Sequence, residues 1–310
     1  MTRGFSMHGN AKVFVLMAAM TALVMALGWM LGGQGGAVMA LVLAGGMNVF
    51  SWWNSDKMVL RQQGAVELSP QQGGELYALT ADLARRADLP IPKLYLLPTE
   101  QPNAFATGRN PENSAVAVTQ GLVSSLSRDE IAGVIAHELA HIKHRDTLTM
   151  TVTATMAGAI AMMGNMMLFA GGRDGRGGGL GAILAMIFAP MAAMLVQMAI
   201  SRAREYEADA TGAQISSQPQ ALASALAKIA QLAGRTLNIP AEKNPAAASL
   251  FIINPLNGLR MDSLFATHPP TEERIARLMS MNRHGDMVER ASSIPRSGGA
   301  VQDDGPWGRG

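Results

Sequence analysis

His137-Glu138-Leu139-Ala140-His141 decides how the rest of the chain is read. On a helix, residues four apart share a face, so both imidazoles can reach one zinc ion at ~2.0–2.1 Å. Glu138 lies one step round the helix, where a carboxylate can serve as the base beside such a metal. Five residues can match by chance, so the flanking sequence matters. Ser127-Arg128-Asp129-Glu130 reads as a capping box with Ser127 at N-cap and Glu130 at N3, and Leu126 and Ile131 stand where a hydrophobic staple places them. Ile131, Val134, Ile135 and Leu139 then supply the buried stripe of an amphipathic helix. Two histidines and a glutamate turned inward without a metal would need buried partners, which makes an accidental motif costly here.

Composition points to a membrane. The chain has 310 residues, 48% hydrophobic and only 15% charged, too apolar for an ordinary soluble enzyme of this size. The excess lies in four uncharged blocks, 13–31, 36–53, 149–170 and 180–200, each near the ~20 residues that cross a ~30 Å hydrocarbon core. They pair into two hairpins, one around a Gly-Gly-Gln-Gly-Gly turn and one around the Gly-rich stretch 171–179. Gly158, Ala159, Ala192 and Ala193 would allow close helix contact in lipid, and Trp52 and Trp53 close the second block like an interfacial aromatic belt. Block 13–31 is too long for the apolar core of a signal peptide, and a second block follows at once. The threonines and Asn165 of 149–170 make it the block most like a buried soluble helix.

Basic residues flank the blocks on one side: Arg3, Lys12, Lys57, Arg61, Lys143, Arg145, Arg202 and Arg204. Positive-inside therefore places the amino terminus, the metal helix and the carboxy-terminal part in the cytoplasm. Zero cysteines fit a reducing compartment. The flanking residues account for the net charge of +2, which leaves no basic patch for nucleic acid.

Between the second and third blocks, 70–87 has helical periodicity through Leu76, Leu79 and Leu83, and Pro90 and Pro92 stop it. Segments 93–97, 103–107 and 114–119 read as strands, so a small sheet precedes the metal helix. Helices are expected over 202–215, 219–232 and 272–281, and from 283 the chain reads as a polar tail. The fold class expected is α+β: a mostly helical zincin-like catalytic domain with a small β-sheet, plus four transmembrane helices in two hairpins. The divisions are a transmembrane hairpin (1–53), the first catalytic part (54–148), a second hairpin (149–200), the second catalytic part (201–282) and a mobile tail (283–310).

A catalytic zinc site needs a third protein ligand. His144 lies one further turn along the helix, too far to share a metal with His137, and Thr147 stands where a metzincin has its third histidine. His8 and His284 fall in terminal segments. Glu205 and Asp209 are four apart, so one can bind metal while the other receives the free N–H of a ligating imidazole. The plainer reading is a charged helix leaving the membrane, its glutamates solvated beside arginines.

His137–His141, followed after an apolar hairpin by Ser201-Arg202-Ala203-Arg204-Glu205-Tyr206-Glu207-Ala208-Asp209, resembles the HtpX family of membrane zinc metalloproteases, gluzincin relatives of the CAAX prenyl proteases. The likeness runs over nearly the whole chain, through Pro102-Asn103-Ala104-Phe105-Ala106-Thr107-Gly108 and Thr267-His268-Pro269-Pro270-Thr271-Glu272-Glu273-Arg274-Ile275. It departs in the loop 171–179 and the tail. The resemblance implies one zinc per chain with Glu205 as third ligand and Asp209 as partner of His137. Asn103, Ala104, Phe105 and Ala106 would form the edge strand along which a substrate backbone adds. His268 and Arg274 would stabilise the oxyanion beside the zinc, although a histidine before two prolines also suits a structural turn.

The resemblance further implies a multi-pass endopeptidase of the bacterial inner membrane, its active site facing the cytoplasm. There it would act on unfolded or misfolded membrane proteins in quality control and stress response, beside other membrane quality-control proteases. One rival reading is a zinc-stabilised membrane scaffold or chaperone-like binder. A structural zinc usually takes four protein ligands, and three plus a base favour an enzyme. Another is a narrow-specificity processing peptidase. Apolar hairpins around a soluble core, rather than a large helical chamber, count against its prenyl version.

Overall fold

The computed structural model describes residues 7–170, 202–256 and 269–292. It opens with α1 (Met7–Gln62), which Gly32 and Gly33 break into two arms. Gly33 sits at φ 58, ψ −145, a conformation closed to residues with a Cβ. The arms fold back on each other: Asn48 donates to Thr21 Oγ1 at 2.8 Å, and Phe14 stacks on Trp52 with ring centroids 5.6 Å apart. Their outer faces carry exposed Val38, Met39, Val42, Val49 and Phe50, the reverse of a water-soluble hairpin. Among the described residues one helix, Gly32–Gln62, is long and apolar enough to cross a membrane, and the apolar stretch of the first arm, Met17–Ala26, is shorter. The second arm runs on without a break into the soluble domain, where Val59 and Leu60 join the core.

A four-stranded sheet follows in the order β1-β2-β4-β3. β1 (Val66–Leu68) pairs antiparallel with β2 (Lys93–Leu97), and β2 pairs parallel with β4 (Asn113–Thr119). β3 (Ala104–Asn110) lies antiparallel along the far side of β4, in the register Ala104↔Val118 and Ala106↔Val116. Alternation sends Leu94, Ala104, Ala106, Val116 and Val118 to one face and Leu97, Phe105, Ala115 and Ala117 to the other. Both faces are covered, which is why these strands are apolar at nearly every position.

The first face packs on α2 (Pro70–Arg86) and, after a short α3 (Gln120–Ser125), on α4 (Arg128–His144). The capping box of α4 is formed: Ser127 Oγ accepts the Glu130 N–H and Glu130 returns the bond to the Ser127 N–H. Burial would raise the Glu130 carboxyl, but Lys228, Ser224 and the Ser127 N–H outweigh it and hold it down at about 2. Lys228 and Ser224 belong to α7 (Pro219–Ala233), so this carboxylate also ties α7 to the start of the metal helix.

The second face packs on α5 (Thr147–Ala170) and on a 3₁₀ turn, Pro245–Leu250, which follows the short α8 (Ile239–Lys243). The expected third membrane span starts inside the protein. Met150, Val152, Ala154 and Ala157 are buried in the protein core, and Thr107 and Thr151 hydroxyls meet at 2.9 Å. Thr151 and Thr155 turn their hydroxyls onto the carbonyls of Thr147 and Thr151. That satisfies them inside a protein interior as well as it would in lipid. The expected fourth span, 180–200, and the loop 171–179 lie outside the described residues, so four spans are not established.

α6 (Arg202–Ser216) crosses α4, and α9 (Thr271–Ser292) packs chiefly on α7 and also on α6. α9 carries on into the segment expected to be a mobile tail; residues 293–310 lie outside the described residues.

Candidate metal centre and active site

Glu205, Asp209 and Gly212 fall on one side of α6 at a spacing of four and three, and that side meets α4. Gly212 sets the approach: a Cβ there would stand 2.9 Å from both the N and the Cα of His137. With backbone against backbone, the Glu205 carboxylate reaches the two histidines, and sequence reading had not marked this glycine.

His137 and His141 aim their Nε2 atoms at one point, 3.2 Å from each other. Each stands 3.7 Å from a Glu205 oxygen, His137 Nε2 from Oε2 and His141 Nε2 from Oε1. Tetrahedral ligands around zinc at ~2.0–2.1 Å lie ~3.3 Å apart, so this spacing fits a metal the size of zinc. All three side chains are buried, and the three ligand atoms lie within 4.8 Å of one another. The two Nδ1 atoms face away, each toward a carboxylate: His137 Nδ1 is 3.0 Å from Asp209 Oδ1, and His141 Nδ1 is 3.4 Å from Asp146 Oδ2. That arrangement selects the tautomer whose Nε2 lone pair is free for a metal. Burial would lower His141, but the Asp146, Glu205 and Glu138 carboxylates raise it to about 9, so a metal at Nε2 would take the place of a proton there. His137 stays below its ordinary value because burial outweighs Asp209.

Glu138 is 1% exposed, and its Oε1 has no hydrogen-bond partner. Burial pushes its carboxyl up to about 7, with Glu205 adding, while His141 and the Ala106 N–H pull the other way. A buried carboxylate with an open oxygen and a proton affinity near neutrality suits a general base.

The remaining expected site residues fall in three places. Arg274, expected at the oxyanion, is held chiefly by Asp209. It is completely buried, with Nε and Nη2 forming a fork on Asp209 at 2.8 and 2.7 Å and Nη1 donating to the Ile252 carbonyl at 2.9 Å. Although burial would raise Asp209, Arg274 and His137 hold it well below the usual carboxylate range. Arg274 therefore backs Asp209, and its Nη1 also lies 3.8 Å from Glu205 Oε2, beside the metal ligands. His268 lies outside the described residues.

On the edge strand, the Ala106 N–H meets the Glu138 carboxylate and Phe105 turns to the other face, edge-on to Phe251 at 5.0 Å. Asn103 and Ala104 are bonded to a distant segment of the chain itself, Ile252-Ile253. Asn103 Nδ2 donates to the Ile253 carbonyl, and Ala104 O accepts the Ile252 N–H. His144, set aside as a ligand, meets the Thr211 hydroxyl.

The Ste24p crystal structure from S. mikatae is similar, at 19% identity and a TM-score of 0.47. The match covers 86% of this chain and 64% of that one, so the chain spans less than two thirds of Ste24p. The family model for peptidase family M48 matches residues 70–282, which hold strands β2, β3 and β4, the metal helix, Glu205, Asp209 and Arg274. A match over more than half of the chain, centred on a His-His-Glu cluster suited to the zinc these peptidases use, places it: the chain belongs to peptidase family M48, the zinc metallopeptidases.

Proposed function

We propose that the chain is a membrane-anchored endopeptidase that hydrolyses unfolded or misfolded membrane proteins on the cytoplasmic side of a bacterial inner membrane, in quality control. The observation that carries the peptidase reading is the pairing of a three-ligand cluster with Glu138, a further carboxylate that is buried and open at Oε1, with its proton affinity raised by burial. Zinc held by His137, His141 and Glu205 would supply a Lewis acid for the scissile carbonyl and acidify the attacking water. Glu138 takes the proton of that water and delivers it to the departing amine. The Ala106 N–H orients the Glu138 carboxylate from the edge of the sheet. Backbone pairing along β3 beyond Ala106 would suit substrates of varied sequence, since main-chain bonds carry the affinity and the Ala104 carbonyl is already taken by Ile252.

The hairpin α1 supports the membrane part of the reading, with its exposed apolar faces and its unbroken run into the catalytic core. Arg109 lies over the Trp53 ring at 4.8 Å and ties the end of β3 to the base of the hairpin. In this reading the active site would lie close to one membrane surface.

The purified protein in detergent, given an unfolded substrate, is expected to cleave it, to stop when a chelator is added and to resume when zinc is restored. Binding without cleavage, at any zinc level, would favour the scaffold reading. A reporter fused after Leu148 is expected to read as cytoplasmic and one placed within 171–179 as external. A cytoplasmic signal from the loop would mean that 149–200 does not cross the bilayer, in line with the burial of the first turns of α5.

A further inference from the structure

The two zinc-facing histidines are each backed by a carboxylate, and each carboxylate by an arginine. Asp209 and Arg274 do this for His137; for His141 the matching pair is Asp146 and Arg204. We propose that Asp146, steadied by Arg204, is the positioning residue of His141, fixing its tautomer and ring orientation for the metal. The inference rests on His141 being a zinc ligand.

The geometry comes from the end of the metal helix. α4 stops at His144, and Arg145 adopts φ 61, ψ 32, a left-handed turn made without glycine. The turn is closed by the Arg145 N–H on the Ile142 carbonyl and the Asp146 N–H on the His141 carbonyl. Asp146 is thereby carried back under the ring of His141, with Oδ2 3.4 Å from Nδ1. Its other oxygen, Oδ1, lies 3.8 Å from Arg204 Nη1. Arg204 immediately precedes Glu205 on α6, so the same turn of helix carries the third ligand and the group that steadies the partner of the second. A carboxylate on Nδ1 keeps the proton there, leaves Nε2 as the ligand atom and raises its basicity.

The two arms differ in tightness. On the His137 side the contacts are 2.7–3.0 Å between fully enclosed groups. On the His141 side they are 3.4 and 3.8 Å, and the Arg204 side chain is 18% exposed. The looser arm has the smaller hold on the metal, and its arginine contact is the one that salt can weaken.

Asp146 also directly precedes α5, so a purely structural role as an N-cap is the competing account. Asn and Ser serve about as well as Asp at an N-cap, which separates the two accounts. Asn keeps the reach but loses the charge, and Ser loses the reach. Zinc affinity of the full-length protein in detergent would be measured by competition with a chromogenic chelator, alongside the melting midpoint of the zinc-free protein and the visible spectrum of the cobalt-substituted form. The proposal expects Asp146→Ser to weaken zinc binding ~10–100-fold and Asp146→Asn less, both with an unchanged zinc-free midpoint and an altered cobalt spectrum. Unchanged zinc affinity in both variants, or a loss that only follows a lower zinc-free midpoint, would overturn it. If the wild-type protein itself takes up no zinc, the metallopeptidase reading fails, an outcome distinct from wild-type uptake that the variants share.

Discussion

Glu138→Gln is expected to give a folded, zinc-loaded protein whose cleavage of an unfolded substrate falls ~10²–10⁴-fold, the usual cost of removing a positioned general base. The substitution keeps size and shape at a side chain that is almost completely buried, and the amide oxygen can still accept the Ala106 N–H. The three groups that converge on the metal position, His137, His141 and Glu205, are untouched. What changes is the capacity to hold a proton. Burial has moved the Glu138 carboxyl to about 7, where it can take a proton and release it within one turnover, and an amide can do neither. Zinc content, melting midpoint and cleavage rate measured together decide the matter. A wild-type rate would rule out the base, and zinc lost along with the rate would assign Glu138 to metal binding instead.

The reach of sequence reading follows from which facts are local. His137, Glu138 and His141 lie within one helix, so a spacing of four converts directly into a shared face, and the Ser127–Glu130 box marks where that helix starts. Glu205 and Asp209 also share a face. Which of them meets the metal and which backs a histidine depends on how α6 crosses α4, a relation set by Gly212 against the His137 backbone and not written in either helix alone. Asp146 escaped notice because the turn that returns it to His141 is made at Arg145, without the glycine or asparagine that usually signals such a reversal. Hydropathy leaves the start of α5 undecided for a different reason. Lipid and a protein core reward the same apolar residues, so 149–157 read as membrane and also pack on α1 and the sheet. Arg274 was placed near the site by its motif, but a sequence does not say which way a guanidinium points.

Arg274→Met is expected to lower stability by ~3–5 kcal/mol, because it strips the counter-charge from a buried carboxylate. In the intact protein the Arg274 fork covers both oxygens of Asp209, and its remaining Nη1 holds the Ile252 carbonyl against the edge strand. Without the guanidinium, Asp209 either stays charged in a sealed pocket or takes up a proton. In both cases it is a poorer partner for the His137 Nδ1, 3.0 Å away. Zinc affinity should therefore fall together with the melting midpoint. An oxyanion role makes the opposite forecast: cleavage would collapse while zinc content and midpoint hold. A second variant keeps the two readings apart even if the first folds poorly. Replacing both partners, Asp209→Asn with Arg274→Met, removes the unpaired charge, so the double variant should be more stable than Arg274→Met alone, with a coupling energy within the ~0.5–3 kcal/mol seen for interacting pairs. Strict additivity of the two substitutions would mean that Arg274 does not act through Asp209, and the backing role drawn from the fork would fail.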